Sequence, residues 1–556
     1  VRNYRSFMED ASDLVVRYGG SLSGEHGDGQ ARAELLPKMF GNELAGAFRE
    51  FKAIWDPQWK MNPGKVVDPY RLDENLRAGP DYKPRKVETY FQFPNDKGNF
   101  ALAAERCFGV GKCRSLNGET MCPSFKATRE EMHSTRGRAR LLFEMMRGDV
   151  IVDGWRDEHI KESLDLCLAC KGCKSDCPVS VDVASYKAEF LAHYYEGRMR
   201  PRQAYAMGLV AKWARAASIA PGLANLLSHA PLLNRLAKLA GGISQKREIP
   251  AFAPQTFRAW FHGRRAKTSG GTRVLLWPDT FNNYFLPRTA QAAVEVLEDG
   301  GCEVAIPDRV LCCGRPLYDY GMLPKAKQWL EETLEVLGPE IDAGTPVVFL
   351  EPSCAAVFRD EMKELMPANE RARRLTEQSF LFDEYLKKIG YKPRRLERTA
   401  ILHGHCHQKA IAGMSPTVEV LSEMGVKAEL LDDGCCGMAG SFGFEDGHYD
   451  VSMKVGEHEL LPRVRGASPG DLIIADGFSC REQIAQTTDR QALHLADVLA
   501  MGLHEGPAGP AESLPESNYV QKPARAHWMP LAAGAAVGVA AILLTRRGDK
   551  RSDRWR

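Results

Sequence analysis

The most constraining feature of this sequence is a run of four cysteines, Cys167-x2-Cys170-x2-Cys173-x3-Cys177, followed at once by Pro178. Three thiolates two residues apart can wrap one face of an iron–sulfur cubane, and a fourth followed by proline ligates the neighbouring cluster where two clusters lie together. Zinc is the alternative, but zinc sites usually pair two cysteines and leave a long gap before the next pair. The run therefore predicts an iron–sulfur segment.

A partner motif lies upstream, at Cys107, Cys113 and Cys122-Pro123, with Val110 where a second ligand would stand. One [4Fe–4S] cluster is then completed by Cys122, Cys167, Cys170 and Cys173. The other cluster keeps three thiolates, Cys107, Cys113 and Cys177. It is therefore predicted to be [3Fe–4S], or [4Fe–4S] with a fourth ligand that is not cysteine. Amphipathic helices predicted at 130–147 and 183–195 favour a helical dicluster domain over a small β-ferredoxin.

A second cysteine pattern is duplicated. Cys312-Cys313-Gly314 recurs as Cys435-Cys436-Gly437, and Cys354 recurs as Cys480, while the segment 277–280 takes the place of 403–406. The offsets of 127, 123 and 126 residues (279 to 406, 312 to 435, 354 to 480) indicate an internal repeat. Each site follows a short apolar run that predicts a buried strand, at 274–277, 347–350, 400–402 and 472–475. Helices are predicted at 289–297 and 326–337. Ligands just beyond strand ends are typical of open α/β sheets.

These units resemble the cysteine-rich CCG domains of heterodisulfide reductase subunits and of the iron–sulfur subunits of glycolate and glycerol-3-phosphate dehydrogenases. The resemblance implies cluster ligation in the second repeat by Cys406, Cys435, Cys436 and Cys480. The first repeat keeps Cys312, Cys313 and Cys354, with a cysteine expected to be lost at Asp279. A degenerate, purely structural α/β domain is the alternative. Cys302 is expected in the core, and the histidines around Cys406 (His403, His405 and His407) are expected to supply a ligand, a proton donor or structural support.

The first seventy residues contain Gly24-Glu25-His26-Gly27-Asp28-Gly29 and then Met61-Asn62-Pro63-Gly64-Lys65. Both motifs resemble the C-terminus of FAD-linked oxidases related to D-lactate dehydrogenase and vanillyl-alcohol oxidase. The resemblance implies that His26 is a base or substrate contact, that Glu25 orients it or binds a divalent metal, and that Arg32 holds a substrate carboxylate. Residues expected near the cofactor are Gly27, Gly29, Asn62 and Gly64. No other segment offers a dinucleotide fingerprint, so FAD is expected to be bound mainly by an upstream domain.

Over its length the chain resembles the C-terminal half of fused FAD-linked oxidase/iron–sulfur proteins that act on D-2-hydroxyglutarate, D-lactate or glycolate. The fold class implied is multidomain α+β and α/β: a C-terminal cap remnant of the FAD-linked oxidase, a helical dicluster ferredoxin-like domain and two α/β cysteine-rich repeats. The expected boundaries are 1–70 for the oxidase end, 71–95 for a linker, 96–200 for the dicluster domain, 201–269 for a helical linker, 270–395 and 396–505 for the repeats, 506–526 for a flexible linker and 527–556 for an apolar tail with a basic end.

This resemblance implies an iron–sulfur electron-transfer portion of a flavin-linked D-2-hydroxy-acid dehydrogenase, incomplete without the FAD domain. Electrons from a small 2-hydroxy acid would pass from FAD through 4Fe–4S clusters to a quinone or soluble acceptor. One alternative is a heterodisulfide-reductase-like subunit. Another is a non-catalytic electron carrier that docks a separate flavoprotein.

The cysteine content and the charge of the chain indicate its cellular compartment and its partners. The fifteen cysteines are clustered, and no N-terminal secretory signal is evident, so metal binding in a reducing, cytoplasmic compartment is expected rather than disulfides. A formal net charge of +2 gives no reason to expect nucleic acid as a partner. The chain starts within a predicted helix (2–19), as a fragment or a misplaced gene start would. The uncharged run 528–545 suggests attachment to the inner face of a membrane. The linker 201–263 is predicted to be a helical spacer that packs on the clusters, with a membrane surface or a partner as the alternative contact.

Overall fold

Parallel β-structure is confined to the two cysteine repeats, and the rest of the described chain is helical. The computed structural model describes residues 2–76, 82–116, 118–265, 270–511 and 514–520. The described residues form two units, one up to Pro84 and one from Arg85 onward. The mixed helical and α/β fold class expected from the sequence is confirmed.

The first unit contains two long helices, α1 (Arg2–Arg17) and α2 (Leu36–Trp55), the second kinked at Gly41. Arg5 joins the helices to the later loop, because its guanidinium binds Asp73 (2.5 Å) and Glu34 (3.0 Å). The loop 18–32 between the helices carries the glycine-rich motif.

The dicluster segment is helical, and no strand lies among its residues 96–116 and 118–200. The prediction of helices instead of a β-ferredoxin is therefore confirmed. The helix predicted at 130–147 begins at Thr135, after a 3-10 turn at Glu131–His133. The helices are α3 (Phe100–Glu105), α4 (Pro123–Thr128), α5 (Thr135–Arg147), α6 (Glu158–Asp165), α7 (Gly172–Asp176) and α8 (Val183–Tyr194).

Short amphipathic helices follow and leave many apolar side chains exposed. Trp213, Ile219, Leu223 and Leu232 are 57–87% exposed. These helices are α9 (Arg202–Ala206), α10 (Val210–Ala217), α11 (Pro221–His229), α12 (Pro231–Gly241) and α13 (Phe257–Gly263).

The first repeat is built on a four-stranded parallel sheet in the order β2-β1-β3-β4. Val274 to Trp277 of the central strand are buried on both faces, as in a sheet covered by helices on both sides. The elements are β1 (Thr272–Trp277), α14 (Thr280–Tyr284), α15 (Pro287–Asp299), β2 (Cys302–Ala305), α16 (Arg315–Asp319), α17 (Leu323–Val336), α18 (Gly338–Ala343), β3 (Val347–Phe349), α19 (Pro352–Ala356), α20 (Met362–Leu365), α21 (Glu370–Gln378), β4 (Ser379–Leu381) and α22 (Phe382–Lys388).

The second repeat has a three-stranded parallel sheet in the order β6-β5-β7, which matches β2-β1-β3 of the first. The shared order supports the duplication. The elements are β5 (Thr399–His403), α23 (Cys406–Ile411), α24 (Ser415–Met424), β6 (Lys427–Leu430), α25 (Tyr449–Gly456), α26 (Leu460–Arg465), β7 (Leu472–Ala475), α27 (Phe478–Thr487) and α28 (Leu495–Glu505).

Across the described residues, no helix is both long enough and apolar enough to cross a membrane. The apolar run predicted at 528–545 lies outside those residues.

Candidate iron–sulfur centres

The loop that carries Cys167, Cys170 and Cys173 is buried and tightly turned. Each of the three side chains is 8% exposed. Ala169 and Lys171 take left-handed backbone angles, with φ of 49° and 60°, and such strain concentrates at ligand sites. Burial raises the pKa of Cys170 and raises the pKa of Cys173 to about 12. The thiolates that iron requires are therefore favoured only when a cation binds.

The upstream thiols lie at the N-terminus of α5. The backbone N–H of Thr135 donates to Sγ of Cys122 (2.9 Å), and that of Arg136 donates to Sγ of Cys113 (3.4 Å). Ser134 caps the helix by accepting from the N–H of Gly137 (3.0 Å). The hydrogen bond with Cys122 and the N–H of Arg136 lower the pKa of Cys113 to about 6. The N–H groups of this helix N-terminus favour thiolate charge, but the contact with Cys113 and burial raise the pKa of Cys122 well above its usual range.

The two predicted ligand sets adjoin at this helix. Cys113 and Cys122, assigned from the sequence to different clusters, are in side-chain contact. The side chain of Val110, at the position of the missing ligand, is 53% exposed. Cys107 and Cys177 are partly exposed. The assignment of individual thiols to one cluster or the other stays a prediction.

Four thiols of the second repeat form a continuous buried group. Cys406 begins α23 after β5, Cys435 and Cys436 follow β6, and Cys480 lies in α27 after β7. Neighbouring thiols in this group shift one another's pKa: 406 with 435, 435 with 436, and 436 with 480. The contact with Cys435 lowers the pKa of Cys406 to about 6. The carboxyl ends of the parallel strands therefore gather the set that the sequence predicted.

His403 is oriented toward these thiols by a buried carboxylate. Its Nδ1 hydrogen-bonds to Asp433, and both side chains are at most 3% exposed. Its Nε2 has no partner with ordinary hydrogen-bond geometry, and it lies within 4.8 Å of the sulfurs of Cys436 and Cys480. Burial opposes protonation, yet the Asp433 carboxylate raises the pKa of His403 to about 9. A carboxylate that fixes an imidazole in this way is a common support for metal ligands.

The dicluster loop adjoins the thiols of the second repeat. Nε2 of His407 lies 2.9 Å from the carbonyl oxygen of Ala169, which precedes Cys170. Cys170 packs in the same buried cluster as Cys406, Cys435, Cys436 and Cys480. The nearby Cys406 also contributes, after burial, to the raised pKa of Cys170. The two groups of candidate ligands are thus neighbours, although more than two hundred residues separate them in sequence.

The residue of the first repeat that is equivalent to Cys406 lies one position later than the sequence comparison predicted. Asp279 caps α14, and His405 caps α23. The first helical residues, Thr280 and Cys406, are therefore equivalent, at an offset of 126. The expectation that Asp279 stands in the place of the lost cysteine was wrong. Threonine occupies that place, and the carboxylate serves as a helix cap.

Three thiols remain together in the first repeat. Sγ of Cys313 and Sγ of Cys354 are 3.0 Å apart, and Cys312 contacts Cys313. The hydroxyl of Thr280 donates to Cys312 at 3.6 Å. Trp277, at the end of β1, takes the position of the histidine that ends β5. The first repeat therefore lacks both the fourth thiol and the imidazole of the second.

The glycine-rich motif of the first unit is open to solvent. Nε2 of His26 lies 3.4 Å from the carboxylate of Glu25, and both side chains are about 85% exposed. Gly27 and Gly29 take positive φ (74° and 51°), and a Cβ at either would meet nothing within 4 Å. Arg32 is partly buried nearby in sequence. The backbone is therefore accessible to a planar group.

The second oxidase-like motif is a tight turn. Asn62 and Gly64 have positive φ, and a Cβ at Gly64 would lie 2.2 Å from the Tyr70 ring. Lys65 connects the two motifs, since its ammonium donates to the side chain of Gln30 (2.7 Å). The described residues group no third metal ligand with Glu25 and His26. A divalent metal there stays a prediction.

Three family models match the chain. "FAD linked oxidases, C-terminal domain" matches residues 1–66, "4Fe-4S dicluster domain" matches 103–181 and "Cysteine-rich domain" matches 280–359. The chain carries these three domains. The resemblance to FAD-linked oxidase and iron–sulfur proteins that was expected from the sequence is thereby confirmed.

Curated dehydrogenases and one dehydrogenase subunit are similar to this chain. D-2-hydroxyglutarate dehydrogenase of Escherichia coli (strain K12) is 26% identical over 551 residues, covering 89% of this chain and 53% of the relative. Its namesake in Pseudomonas putida is 27% identical, covering 87% and 52%. An anaerobic glycerol-3-phosphate dehydrogenase subunit of Escherichia coli (strain K12) is 27% identical over 271 residues, covering 47% and 67%. The chain spans about half the length of the D-2-hydroxyglutarate dehydrogenases that it matches.

The donor sets fit iron–sulfur clusters. All fifteen cysteines are free of disulfides, and fourteen lie in the two patterns described above. The fifteenth, Cys302, lies in β2 near the hydroxyl of Tyr385, as expected for a core residue. Buried thiols supported by backbone N–H groups and a carboxylate-bound imidazole are suited to cluster ligation. Contact with FAD by the exposed motifs of the first unit stays a prediction.

Two functional features were not found in the sequence. Asp433 orients His403, and its only signal was its place directly before Gly434-Cys435-Cys436. Glu351 joins the repeats, because it caps α19 and accepts from the backbone N–H of Phe478 (2.8 Å). No local pattern marked that contact.

Proposed function

We propose that this chain is the iron–sulfur electron-transfer portion of a flavin-linked D-2-hydroxy-acid dehydrogenase. The observation that carries the proposal is the contact between the dicluster loop at Cys170 and the thiol group at Cys406. That contact joins two sets of cluster ligands into one path. The match of residues 1–66 to the C-terminal domain of FAD-linked oxidases supports a flavin as the electron source.

The chain's own residues would position substrate and ligate clusters. His26, supported by Glu25, would accept the proton of the substrate hydroxyl, and Arg32 would bind its carboxylate. Bound FAD would accept hydride and release electrons singly, and the clusters would carry them one at a time. The buried thiols would hold the clusters, and the backbone N–H groups at the N-terminus of α5 would stabilise the charge on Cys113 and Cys122.

The acceptor is proposed to be a quinone or a soluble carrier at the cytoplasmic face of a membrane. The exposed apolar side chains of α10–α12 support membrane association. The glycerol-3-phosphate dehydrogenase relative, which matches 47% of this chain, is by its name one subunit of a larger assembly, and this supports a flavoprotein partner.

The test is substrate-driven cluster reduction in the protein isolated anaerobically from its source. D-2-Hydroxyglutarate and D-lactate are added separately, their L isomers serve as controls, and cluster reduction is followed by electron paramagnetic resonance (EPR). We expect a D acid to generate the signals that dithionite generates. Clusters that dithionite reduces but that no D acid reduces would contradict the proposal.

A variant of His26 tests whether this side chain accepts the substrate proton. His26→Gln should slow reduction by the D acid about 10²–10⁴-fold, the usual contribution of a general base. Dithionite should still reduce its clusters fully, because the substitution lies outside the ligand sets. An unchanged rate with the D acid would remove His26 from the proposed role.

A further inference from the structure

A large cavity adjoins the thiol group of the second repeat. Its volume is about 660 Å³, within the range of small-molecule sites. Cys406 and its neighbours His405 and His407 line one part of it. Helices α9, α10 and α12, the segment after α12, the dicluster loop at Leu168 and Ala169, and both cysteine repeats contribute the remaining walls. A molecule bound there would contact the segment that carries the candidate ligand Cys406.

The walls are mostly apolar and include a flat aromatic surface. Phe281 of the first repeat stacks on Phe478 of the second, with ring centroids 4.4 Å apart and planes 15° from parallel. Phe252 and Phe285 add a second ring pair at 4.8 Å. All four rings line the cavity. Such a surface favours a planar, uncharged ring over a strongly polar ligand.

A few polar groups lie at the Cys406 end. Nδ1 of His405 accepts from the backbone N–H of His407 (3.1 Å), so Nε2 carries the hydrogen and can donate to a carbonyl oxygen. Nδ1 of His407 is buried without a hydrogen-bond partner. Because the His407 Nε2 hydrogen is directed to a carbonyl oxygen, this Nδ1 is an acceptor for a hydroxyl. Donor and acceptor together suit a carbonyl that becomes a hydroxyl.

Two arginines are among the residues that line the cavity. The guanidinium of Arg315 is already paired with Glu361 and Asp319, whereas Arg202 is exposed. The other end is lipophilic, since Tyr205 and Trp213 line the cavity and are still 40% and 57% exposed. One exposed arginine in a mostly apolar lining favours a molecule with an apolar tail over a polyanionic nucleotide, and such a tail would extend past these two rings.

We propose that this cavity binds the head group of a lipophilic quinone and that the quinone is reduced there. The inference rests on the proposed function, which supplies the electrons. In the reaction, two electrons arrive one at a time from the iron–sulfur centres and two protons come from water. Both quinone C=O groups become C–OH, so one quinone yields one quinol, and the 2-hydroxy acid is the ultimate reductant.

Paired tryptophan substitutions test the site in the full-length protein. Ala240→Trp places an indole in the lining, whereas Ala216→Trp places the same side chain on an exposed part of α10 outside the lining. Binding of a decyl-substituted benzoquinone is measured by calorimetry on the oxidised protein. We expect Ala240→Trp to weaken affinity at least tenfold and Ala216→Trp to change it less than twofold.

A second substitution keeps the test valid if the first variant misfolds, and a photoreactive label locates the bound quinone directly. Ala237→Trp, also in the lining, replaces Ala240→Trp if circular dichroism or iron content shows that the latter does not fold. A photoreactive azidoquinone should label peptides from 202–213, 237–252 or 405–407. Equal affinity in lining and control variants, labelling elsewhere only, or no binding by the unsubstituted protein would overturn the inference.

The same samples separate this inference from the proposed function. If the D acid reduces the clusters but the quinone does not bind, the cavity assignment alone fails. If the quinone binds in the cavity and affinity responds to Ala240→Trp, while no D acid reduces the clusters, the cavity assignment stands and the proposed function fails.

Discussion

Lys171 is the side chain whose loss should be most damaging to the dicluster segment. It lies between Cys170 and Cys173 and is 1% exposed. Its ammonium is 2.6 Å from Asp360, 3.1 Å from Asp182 and 3.2 Å from Glu361. Burial opposes its charge, but these carboxylates raise the pKa of Lys171 well above its usual range. The ammonium therefore joins the cluster loop to the first repeat.

Lys171→Met would leave this group of carboxylates short of one cation. Lys174 and Arg315 would remain to pair with them. Removing one partner from a buried ion pair typically costs about 3–5 kcal/mol of unfolding free energy. Lys174→Met is the matched control, because Lys174 binds Asp182 and Asp360 but is 28% exposed. Its loss should cost about 0.2–1 kcal/mol of unfolding free energy, the usual range for solvated pairs.

Urea denaturation of the cluster-loaded protein measures the difference. With a slope of about 3 kcal/mol per molar, a cost of about 3–5 kcal/mol for Lys171→Met should lower the midpoint by about 1–1.7 M. The midpoint is followed by far-ultraviolet circular dichroism and by iron–sulfur absorbance. Equal shifts for the two lysine variants, or a shift for Lys171→Met below about 0.3 M, a cost of about 1 kcal/mol, would refute the buried ion-pair reasoning.

Three further outcomes are expected. Cys480→Ser should lower bound iron and sulfide, because its thiol belongs to the buried group, whereas Cys302→Ser, in a separate core position, should leave both unchanged. Gly477→Ala should cost about 1–3 kcal/mol of stability, since its Cβ would lie 2.1 Å from the His405 ring. Burial raises the pKa of Asp383 to about 6, so native Asp383 binds its proton more tightly than the unfolded chain does. The unfolding free energy that this group contributes falls as pH rises from about 4 through 6. Asp383→Asn should therefore reduce the difference in unfolding free energy between pH 5 and pH 7 by about 1 kcal/mol.

Each of these outcomes has a contrary result. Equal iron content in the two cysteine variants would exclude Cys480 as a ligand. Gly470→Ala is the glycine control, because its nearest neighbour would be 3.7 Å away, and an equal cost at both glycines would remove the steric explanation. An unchanged pH slope in Asp383→Asn would show that other groups set it. Urea midpoints measure the last two.

Much of the fold was predictable because its signals are local. The apolar runs that precede the cysteine sites are buried strands, and the run at Leu472–Ala475 has the predicted bounds. Two strands were missed for physical reasons. β6 (Lys427–Leu430) is a largely exposed edge strand without an apolar run, and β4 (Ser379–Leu381) is only three residues long. Neither provides the periodicity on which strand prediction depends.

The candidate site was predictable as a set of ligands but not as an arrangement. Cysteine spacing identified the thiols, whereas the contact of Ala169 with His407 joins segments far apart in sequence. The equivalence of Thr280 and Cys406 required helix caps, because loops of unequal length shift the offsets between repeats. The cavity is built from the helical linker and both repeats, and no local pattern encodes it.

Electron passage from the dicluster segment to the second repeat is tested most directly by EPR spectroscopy of the fully reduced protein beside Cys406→Ser. Because Cys170 and Cys406 share one buried cluster of side chains, a centre at each should be magnetically coupled to the other. We predict additional splitting or broadening of the dicluster signals in the unsubstituted protein, and the loss of that additional interaction in Cys406→Ser. Identical dicluster signals in the two proteins, with full iron content in the unsubstituted one, would contradict a path through this contact.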